Sequence, residues 1–185
     1  MSTHDGRGLL VAIVGPSGAG KDSLLDALAR KRPDFQFAQR IITRAADAGG
    51  EDHHAVSDAS FDAQLAKGAF AFHWQAHGLR YAIAAEINQH LAAAQVVVFN
   101  GSRKALPEIA RSYPQLLVLV VTAPIGVLAE RLAARGRESA ADIAARLRRA
   151  KMPLPDGAIV ILNDGPLDAG VTQIEAEITR ARQSA

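Results

Sequence analysis

The sequence contains no cysteine, and this absence excludes several kinds of site. Disulfides, thiolate metal ligands and cysteine nucleophiles cannot occur in this chain. No apolar run approaches the ~20 residues that a membrane-spanning helix needs. The net charge of +2 is small for 185 residues, so the composition does not indicate a general nucleic-acid binder. We expect a cytoplasmic protein with no membrane or nucleic-acid partner.

The residues that are present have the balance of a globular protein, with 49% hydrophobic and 22% charged residues. The length suits one domain with a core large enough to fold alone. Four short apolar runs are typical of buried β-strands: Leu9–Val14, Gln95–Phe99, Leu116–Val121 and Ala158–Leu162. Helical patterns separate these runs, so we expect an α/β fold with a parallel sheet between two layers of helices.

The stretch GPSGAGKDSLL, from Gly15 to Leu25, has the glycine and lysine spacing of a phosphate-binding loop. A predicted strand precedes it and an amphipathic helix follows it. Glycines let backbone N–H groups turn toward phosphate oxygens, and Lys21 would reach the β and γ phosphates of ATP. The pattern predicts a three-layer P-loop NTPase fold. The expected ATP-binding residues of the loop are Gly15, Pro16, Ser17, Gly18, Ala19, Gly20, Lys21, Asp22 and Ser23.

Asp22 departs from the motif, which has Ser or Thr after the lysine to hold Mg²⁺. Its carboxylate could bind Mg²⁺ directly or through water, because carboxylates are ordinary ligands of this ion. Alternatively, Ser23 supplies the hydroxyl, or Asp22 is only a favourable acid at a helix N-terminus. A carboxylate close to phosphates is repelled unless a cation lies between them, which favours Asp22 as a metal ligand.

Two stretches interrupt the alternation of strands and helices. Arg40–Tyr81 is polar and rich in histidine and aromatic residues, and Arg131–Lys151 carries seven Arg and Lys. Both are expected to be insertions over the active edge of the sheet. The histidines of the first stretch lack the spacing of a compact zinc site. Trp74 and Tyr81 either line a substrate pocket or pack the insertion.

The loop and the two insertions resemble the nucleoside monophosphate kinases, and guanylate kinase most closely, over nearly the whole chain. The segments that carry the resemblance are ITR (Ile42–Arg44), GGEDHHAVSDASF (Gly49–Phe61), GAFAFHWQAHGLRYAI (Gly68–Ile83), ERLAARGRESAADIAARLRRA (Glu130–Ala150) and ILNDG (Ile161–Gly165). The resemblance implies a single guanylate-kinase-like domain over 1–185. Its parts would be a core (1–39, 84–130 and 151–185), a substrate-binding insertion (40–83) and an arginine-rich lid (131–150).

Several positions depart from the guanylate kinase pattern. Asp47 stands where that family has a second arginine, Arg40 where it has a serine, and Phe72 where it has a base-reading glutamate. The acidic DxD after the second strand is replaced by FNG, which includes Asn100. A site that reads guanine through hydrogen bonds loses affinity heavily when those partners vanish, so GMP is not the expected acceptor.

The same departures match a narrower family. GPSGAGKDSLL, RIITR, AGGEDHHAVS, HWQAHGLRYAI, NGSR and RGRE together resemble the ribose 1,5-bisphosphate phosphokinases of phosphonate breakdown, in which Asp also follows the loop lysine. The resemblance implies transfer of the γ-phosphoryl group of ATP, with Mg²⁺, to the 1-phosphate of ribose 1,5-bisphosphate. The products would be 5-phospho-α-D-ribose 1-diphosphate (PRPP) and ADP. Two alternatives stay open: a guanylate kinase, and a catalytically inactive binding module of the same fold.

The resemblance also implies roles for individual residues. The expected catalytic residues are Lys21 and the lid arginines Arg135, Arg137 and Arg146. The expected substrate-binding residues are Arg40, Arg44, Glu51, His53, Tyr81 and Asn100. Asn163 is expected to contact the adenine of ATP, and Asp22 is expected to bind the metal. We expect a monomer or a homodimer.

Overall fold

The structure is a computed structural model that describes residues 8–45, 52–134, 143–144, 147–148 and 153–184. Within these residues, the strands are β1 (Leu9–Val14), β2 (Gln36–Ala38), β3 (Ile41–Ile42), β4 (His54–Ala55), β5 (Phe70–Ala76), β6 (Leu79–Ala84), β7 (Val96–Asn100), β8 (Leu117–Thr122) and β9 (Ile159–Leu162). The helices are α1 (Lys21–Lys31), α2 (Asp58–Ala66), α3 (Ile87–Ala92), α4 (Leu106–Ser112), α5 (Ile125–Ala134) and α6 (Leu167–Ser184).

The central sheet is parallel, with the strand order β2-β7-β1-β8-β9. Every residue of β1 is buried, because the strand lies in the middle of the sheet and both of its faces are covered. Val11 and Ile13 pack into a cluster with residues of α1 and α6, whereas Ala12 and Val14 pack into a cluster with residues of α3 and α4. The result is the predicted three-layer α/β arrangement.

The four apolar runs predicted as strands are confirmed, and their ends differ by one residue at most. β2 was not predicted from the sequence, because this edge strand is only three residues long and half-buried. The prediction that β9 is buried on both faces is wrong. Val160 and Leu162, on one face of this edge strand, are 43% and 47% exposed, whereas Ile161 on the other face is buried in the cluster that includes residues of α6.

A second sheet covers the stretch predicted as the first insertion (40–83), and its strand β6 ends one residue beyond it, at Ala84. Its strand order is β4-β3-β6-β5, and β5 and β6 form a hairpin. The turn of the hairpin is His77–Gly78, whose φ angles are 54° and 74°. Phe72 of β5 packs against Phe99 of β7 with ring centroids 5.0 Å apart. This contact joins the second sheet to the central sheet.

Several residues predicted for the site lie at the edge of the central sheet where its strands have their C-terminal ends. The phosphate-binding loop follows β1, and Asn100 is the last residue of β7. Asn163 comes directly after β9. Parallel strands bring such residues together at one edge, which is where ligands of open α/β sheets bind. No helix in the described part of the chain is long and apolar enough to cross a membrane.

Candidate active site

The phosphate-binding loop runs from the end of β1 to the first residue of α1. Gly18 and Gly20 have φ angles of 86° and 84°, in the left-handed region that glycine adopts readily. Gly15 lies so close to β8 that an added Cβ atom would be 2.0 Å from the carbonyl oxygen of Val121. These glycines therefore make a tight turn that presents backbone groups at the N-terminus of α1, where an anion is favoured.

Lys21 is the first residue of α1, and its side chain folds back over the loop. Its Nζ atom donates hydrogen bonds of 3.0 Å to the carbonyl oxygens of both Gly15 and Pro16. The ammonium group is thus held above the mouth of the loop. In this position the ammonium group could bind phosphate oxygens in place of the two carbonyl oxygens.

Asp22 is exposed at the start of α1 and contacts the end of β7. The Asn100 side-chain amide donates a hydrogen bond of 3.0 Å to the Asp22 Oδ1 atom. No group of three or more His, Asp or Glu side chains in the described residues is arranged to hold a metal by itself. Mg²⁺ in nucleotide sites is usually held by one or two carboxylates together with substrate phosphates, so a single oriented carboxylate beside the phosphate loop fits this ion.

Arg40 lies between the second sheet and the phosphate loop. Its Cζ atom is 5.7 Å from the centroid of the Tyr81 ring. Burial lowers the pKa of Arg40 to about 10; the nearby Asp22 carboxylate raises this pKa, and the nearby Arg44 lowers it. The guanidinium remains charged at neutral pH, and a partly desolvated cation of this kind has a strong tendency to bind an anion.

Arg44 and His53 meet in the second sheet, where the chain leaves β3 and later enters β4. The His53 Nε2 atom is 3.3 Å from the carbonyl oxygen of Arg44. The neighbouring Thr43 accepts a hydrogen bond of 3.0 Å from the backbone N–H of Arg80 through its hydroxyl oxygen. The segment that carries Arg40 and Arg44 is therefore fixed to the hairpin, which brings four of the expected substrate-binding residues, Arg40, Arg44, His53 and Tyr81, to one region.

The aromatic residues of the hairpin are packed rather than open. The rings of Trp74 and Tyr81 stack with centroids 5.4 Å apart and an interplanar angle of 8°. Phe72 is 9% exposed and contacts Phe99 and Tyr113. The structure therefore shows that Trp74 and Tyr81 pack the insertion. The Tyr81 ring also faces the guanidinium group of Arg40.

Asn163 lies under the phosphate-binding loop and is only 5% exposed. Its Nδ2 atom donates a hydrogen bond of 2.8 Å to the carbonyl oxygen of Ala19. The expected adenine contact stays a prediction, but the side-chain amide already has a partner in the loop. This contact was not predicted from the sequence, although a polar residue directly after a predicted strand is a signal that could have suggested it.

Arg131 was expected only as part of the lid, and the structure gives it a specific partner. Its Nη1 atom donates a hydrogen bond of 3.0 Å to the backbone carbonyl of Asn163. Three catalytic residues predicted in the lid and one substrate-binding residue predicted in the insertion lie outside the described residues. They are Arg135, Arg137 and Arg146 of the lid and Glu51 of the insertion.

Comparisons with known proteins agree with this arrangement. The guanylate kinase family model matches residues 7–181. The ribose 1,5-bisphosphate phosphokinase PhnN of Pantoea vagans is 51% identical over 167 residues, which are 89% of this chain and 94% of that protein. A bifunctional ribose 1,5-bisphosphokinase-thymidine phosphorylase of Azorhizobium caulinodans is 48% identical over 178 residues, which are 94% of this chain and only 26% of that longer protein.

A solved structure shows the same fold at low sequence identity. The crystal structure of guanylate kinase from Anaplasma phagocytophilum has a TM-score of 0.67 and 17% identity, and the match covers 100% of this chain and 90% of that one. The fold is thus the α/β P-loop fold of that kinase. Because the family model and the relatives match almost the whole length, the chain belongs to the guanylate kinase family and, within it, to the ribose 1,5-bisphosphate phosphokinases.

Proposed function

We propose that this protein transfers the γ-phosphoryl group of ATP to the 1-phosphate of ribose 1,5-bisphosphate, giving 5-phospho-α-D-ribose 1-diphosphate and ADP. The choice of acceptor rests on Arg40. This residue is half-buried and lies over the Tyr81 ring and close to Arg44. A desolvated guanidinium suits a second phosphate group better than a purine base. The relatives named as ribose 1,5-bisphosphate phosphokinases support the same acceptor.

The reaction needs alignment and charge neutralisation rather than a base. An oxygen of the 1-phosphate is already anionic at neutral pH, so it attacks the γ-phosphorus without first losing a proton to the protein. The new P–O bond forms as the bond between the γ-phosphorus and the bridging oxygen breaks, and ADP leaves. Lys21 and the backbone N–H groups of the loop between Gly15 and Gly20, except at Pro16, which has none, would hold the phosphates of ATP in line with this attack.

The acceptor side of the site would be formed by the substrate-binding residues predicted from the sequence. Arg40 and Arg44 would bind the phosphates of the sugar, with His53, Tyr81 and Asn100 beside them. Glu51 and the lid arginines Arg135, Arg137 and Arg146 complete the proposed site. Positive charge from those arginines would stabilise the charge on the transferred group.

Mg²⁺ is the proposed cofactor, with ATP as co-substrate. When bound, this ion would neutralise charge on the β and γ phosphates of ATP. Asp22 is the residue that we propose to hold it, and the Asn100 amide orients the Asp22 carboxylate through a hydrogen bond. Asp22 then takes the place of the hydroxyl that usually follows the loop lysine.

We also propose the organisation and setting of the protein. The residues 1–39, 84–130 and 151–185 would form one core, with 40–83 as the acceptor-binding insertion and 131–150 as the lid. The protein would be a cytoplasmic monomer or homodimer that acts on small molecules.

The test of the proposed function is ADP release from ATP and Mg²⁺, with ribose 1,5-bisphosphate and GMP supplied separately. Phosphorus NMR would identify the product, and the expected result is a pair of diphosphate signals from the sugar while GMP stays unreacted. ADP formation only with GMP would instead show an atypical guanylate kinase. Weak ATP binding without turnover of either acceptor would indicate an inactive binding module.

A further inference from the structure

We infer that Asn163 is a positioning residue, which holds the phosphate-binding loop in shape through the carbonyl group of Ala19, and that Arg131 holds Asn163 in turn. The inference rests on the proposed use of this loop for ATP. It gives Asn163 a role that does not require contact with the nucleotide, and it gives Arg131 a role apart from the arginine-rich segment that follows it.

Three hydrogen bonds fix Asn163 between separate elements of the fold. Its backbone N–H donates to the carbonyl oxygen of Thr122 at 2.8 Å, which continues the pairing of β8 and β9. Its carbonyl oxygen accepts from Arg131 of α5 at 3.0 Å. Its side-chain amide donates to Ala19 at 2.8 Å. The first two contacts anchor the backbone of Asn163, so the third can anchor the loop.

The phosphate-binding loop packs closely against the side chain of Asn163. A Cβ atom added to Gly20 would lie 2.4 Å from the Asn163 Nδ2 atom, which shows how closely the loop backbone approaches the amide. On the other side, a Cβ atom added to Gly170 of α6 would lie 3.6 Å from the Asn163 Oδ1 atom and 2.8 Å from the Leu24 Cδ2 atom. The Asn163 side chain therefore lies between the loop and α6.

The contact with Ala19 determines the direction of a backbone donor. Ala19 and Gly20 share one planar trans peptide, so the Ala19 carbonyl and the Gly20 N–H point in opposite directions. When Asn163 fixes the carbonyl, the Gly20 N–H is turned away from Asn163. Gly20 has a φ of 84°, and glycine could otherwise sample several backbone conformations at little cost. Asn163 removes that freedom before nucleotide binds.

Arg131 gives the anchor a second support from α5. The same helix touches the loop at Gly18, where an added Cβ atom would be 3.2 Å from the Leu132 Cγ atom and 3.3 Å from the Leu128 carbonyl oxygen. α5 thus contacts the loop directly at Gly18 and indirectly through Arg131 and Asn163. A change at Arg131 should therefore weaken the same anchor that a change at Asn163 removes.

The test compares Asn163→Leu with the matched control Asn88→Leu. Asn88 is an exposed residue of α3 whose side chain also makes a hydrogen bond, accepting from the Tyr113 hydroxyl at 2.8 Å. The measurements are titration calorimetry with ADP and Mg²⁺, without acceptor, and hydrogen–deuterium exchange of the peptide that spans 15–24. We expect Asn163→Leu to weaken ADP binding about tenfold or more and to speed exchange in this peptide, and Asn88→Leu to change neither beyond about twofold.

Faster exchange that is spread over β6 and β8 as well as the loop would show a merely structural role and overturn the inference. Unchanged ADP affinity and unchanged exchange in Asn163→Leu would also overturn it.

If Asn163→Leu does not fold, a second variant, Asn163→Asp, keeps the shape of the side chain but places an acceptor against the Ala19 carbonyl. The same loss of ADP affinity and the same faster exchange in the loop are expected for it. In Arg131→Gln, we expect ADP binding about threefold weaker than in the unaltered protein. If the losses of ADP affinity in Arg131→Gln and Asn163→Leu add fully in the double variant, Arg131 does not act through Asn163, and its proposed role is refuted.

The outcome separates this inference from the proposed function. If the unaltered protein binds no ADP with Mg²⁺, the kinase proposal fails, while the exchange comparison still decides whether Asn163 holds the loop. If the unaltered protein binds ADP but transfers no phosphoryl group to ribose 1,5-bisphosphate, only the acceptor is wrong.

Discussion

The side-chain amide of Asn100 donates a 3.0 Å hydrogen bond to the carboxylate of Asp22, although 78 positions separate the two residues in the chain. The contact joins the end of β7 to the first turn of α1. Asp22 alone is an unusual residue in a phosphate-binding loop, and Asn100 alone is an amide at the end of a strand. Together they form an oriented carboxylate beside the proposed phosphates of ATP.

Replacing Asp22 with Asn should raise the Mg²⁺ concentration needed for half-maximal activity by about tenfold or more, and should lower turnover, because a charged ligand is lost. The measurement is the rate of ADP formation as Mg²⁺ is varied at saturating ATP. Asp26→Asn is the control, since Asp26 is an exposed acid on the same helix. An unchanged Mg²⁺ dependence in Asp22→Asn would show that Asp22 does not bind the metal and is only a favourable acid at the helix N-terminus.

Replacing Arg40 with Gln should raise the KM for ribose 1,5-bisphosphate by about 10- to 100-fold, which corresponds to the loss of hydrogen bonds to a charged group. The KM for ATP should change little, because the proposed contact is to the acceptor. Steady-state kinetics with each substrate varied in turn would measure both constants. Arg30→Gln, at an exposed position of α1, is the matched control. A rise in the KM for ATP alone would place Arg40 on the nucleotide side.

Replacing Phe72 with Glu should lower the free energy of unfolding by about 3–5 kcal/mol rather than create a site for guanine. The reason is that Phe72 packs against Phe99 and Tyr113 in the core, where a carboxylate would lack a partner. Urea denaturation would measure the loss, and Phe72→Leu should cost only about 1–2 kcal/mol. A stable Phe72→Glu protein that phosphorylates GMP would mean that this position faces an open acceptor pocket.

The same substitution should have opposite effects at two glycines. In Gly126→Ala, nothing lies within 4 Å of the added Cβ atom, so the free energy of unfolding should rise by about 0.5–1 kcal/mol through the better helix propensity of alanine. In Gly15→Ala, the Cβ atom would meet the Val121 carbonyl at 2.0 Å, so both stability and ATP binding should fall. Thermal unfolding of both variants would test the pair. A Gly15→Ala protein as stable as the unaltered one would contradict the close packing of the loop on β8.

The long apolar runs and the glycine loop could be predicted from the sequence because their signals are local. A buried strand such as β1 needs a continuous apolar run, and a phosphate loop needs glycine at fixed positions. β2 could not be predicted in this way, because its three half-buried residues owe their pairing with β7 to the rest of the sheet. The exposure of one face of β9 could not be predicted from the sequence either, since it depends on which elements pack against that strand.

The candidate site also has features that the sequence predicts and features that depend on the tertiary structure. The sequence by itself determined that Lys21 ends a glycine loop, that an acid follows it, and that arginines surround the stretch IIT, because these are properties of neighbours along the chain. Only the tertiary structure decided that Asn100 orients Asp22, that Tyr81 supports Arg40, and that Asn163 holds the loop from below. Each of these contacts joins residues from different strands and loops, and their distances are set by the order and packing of the sheets.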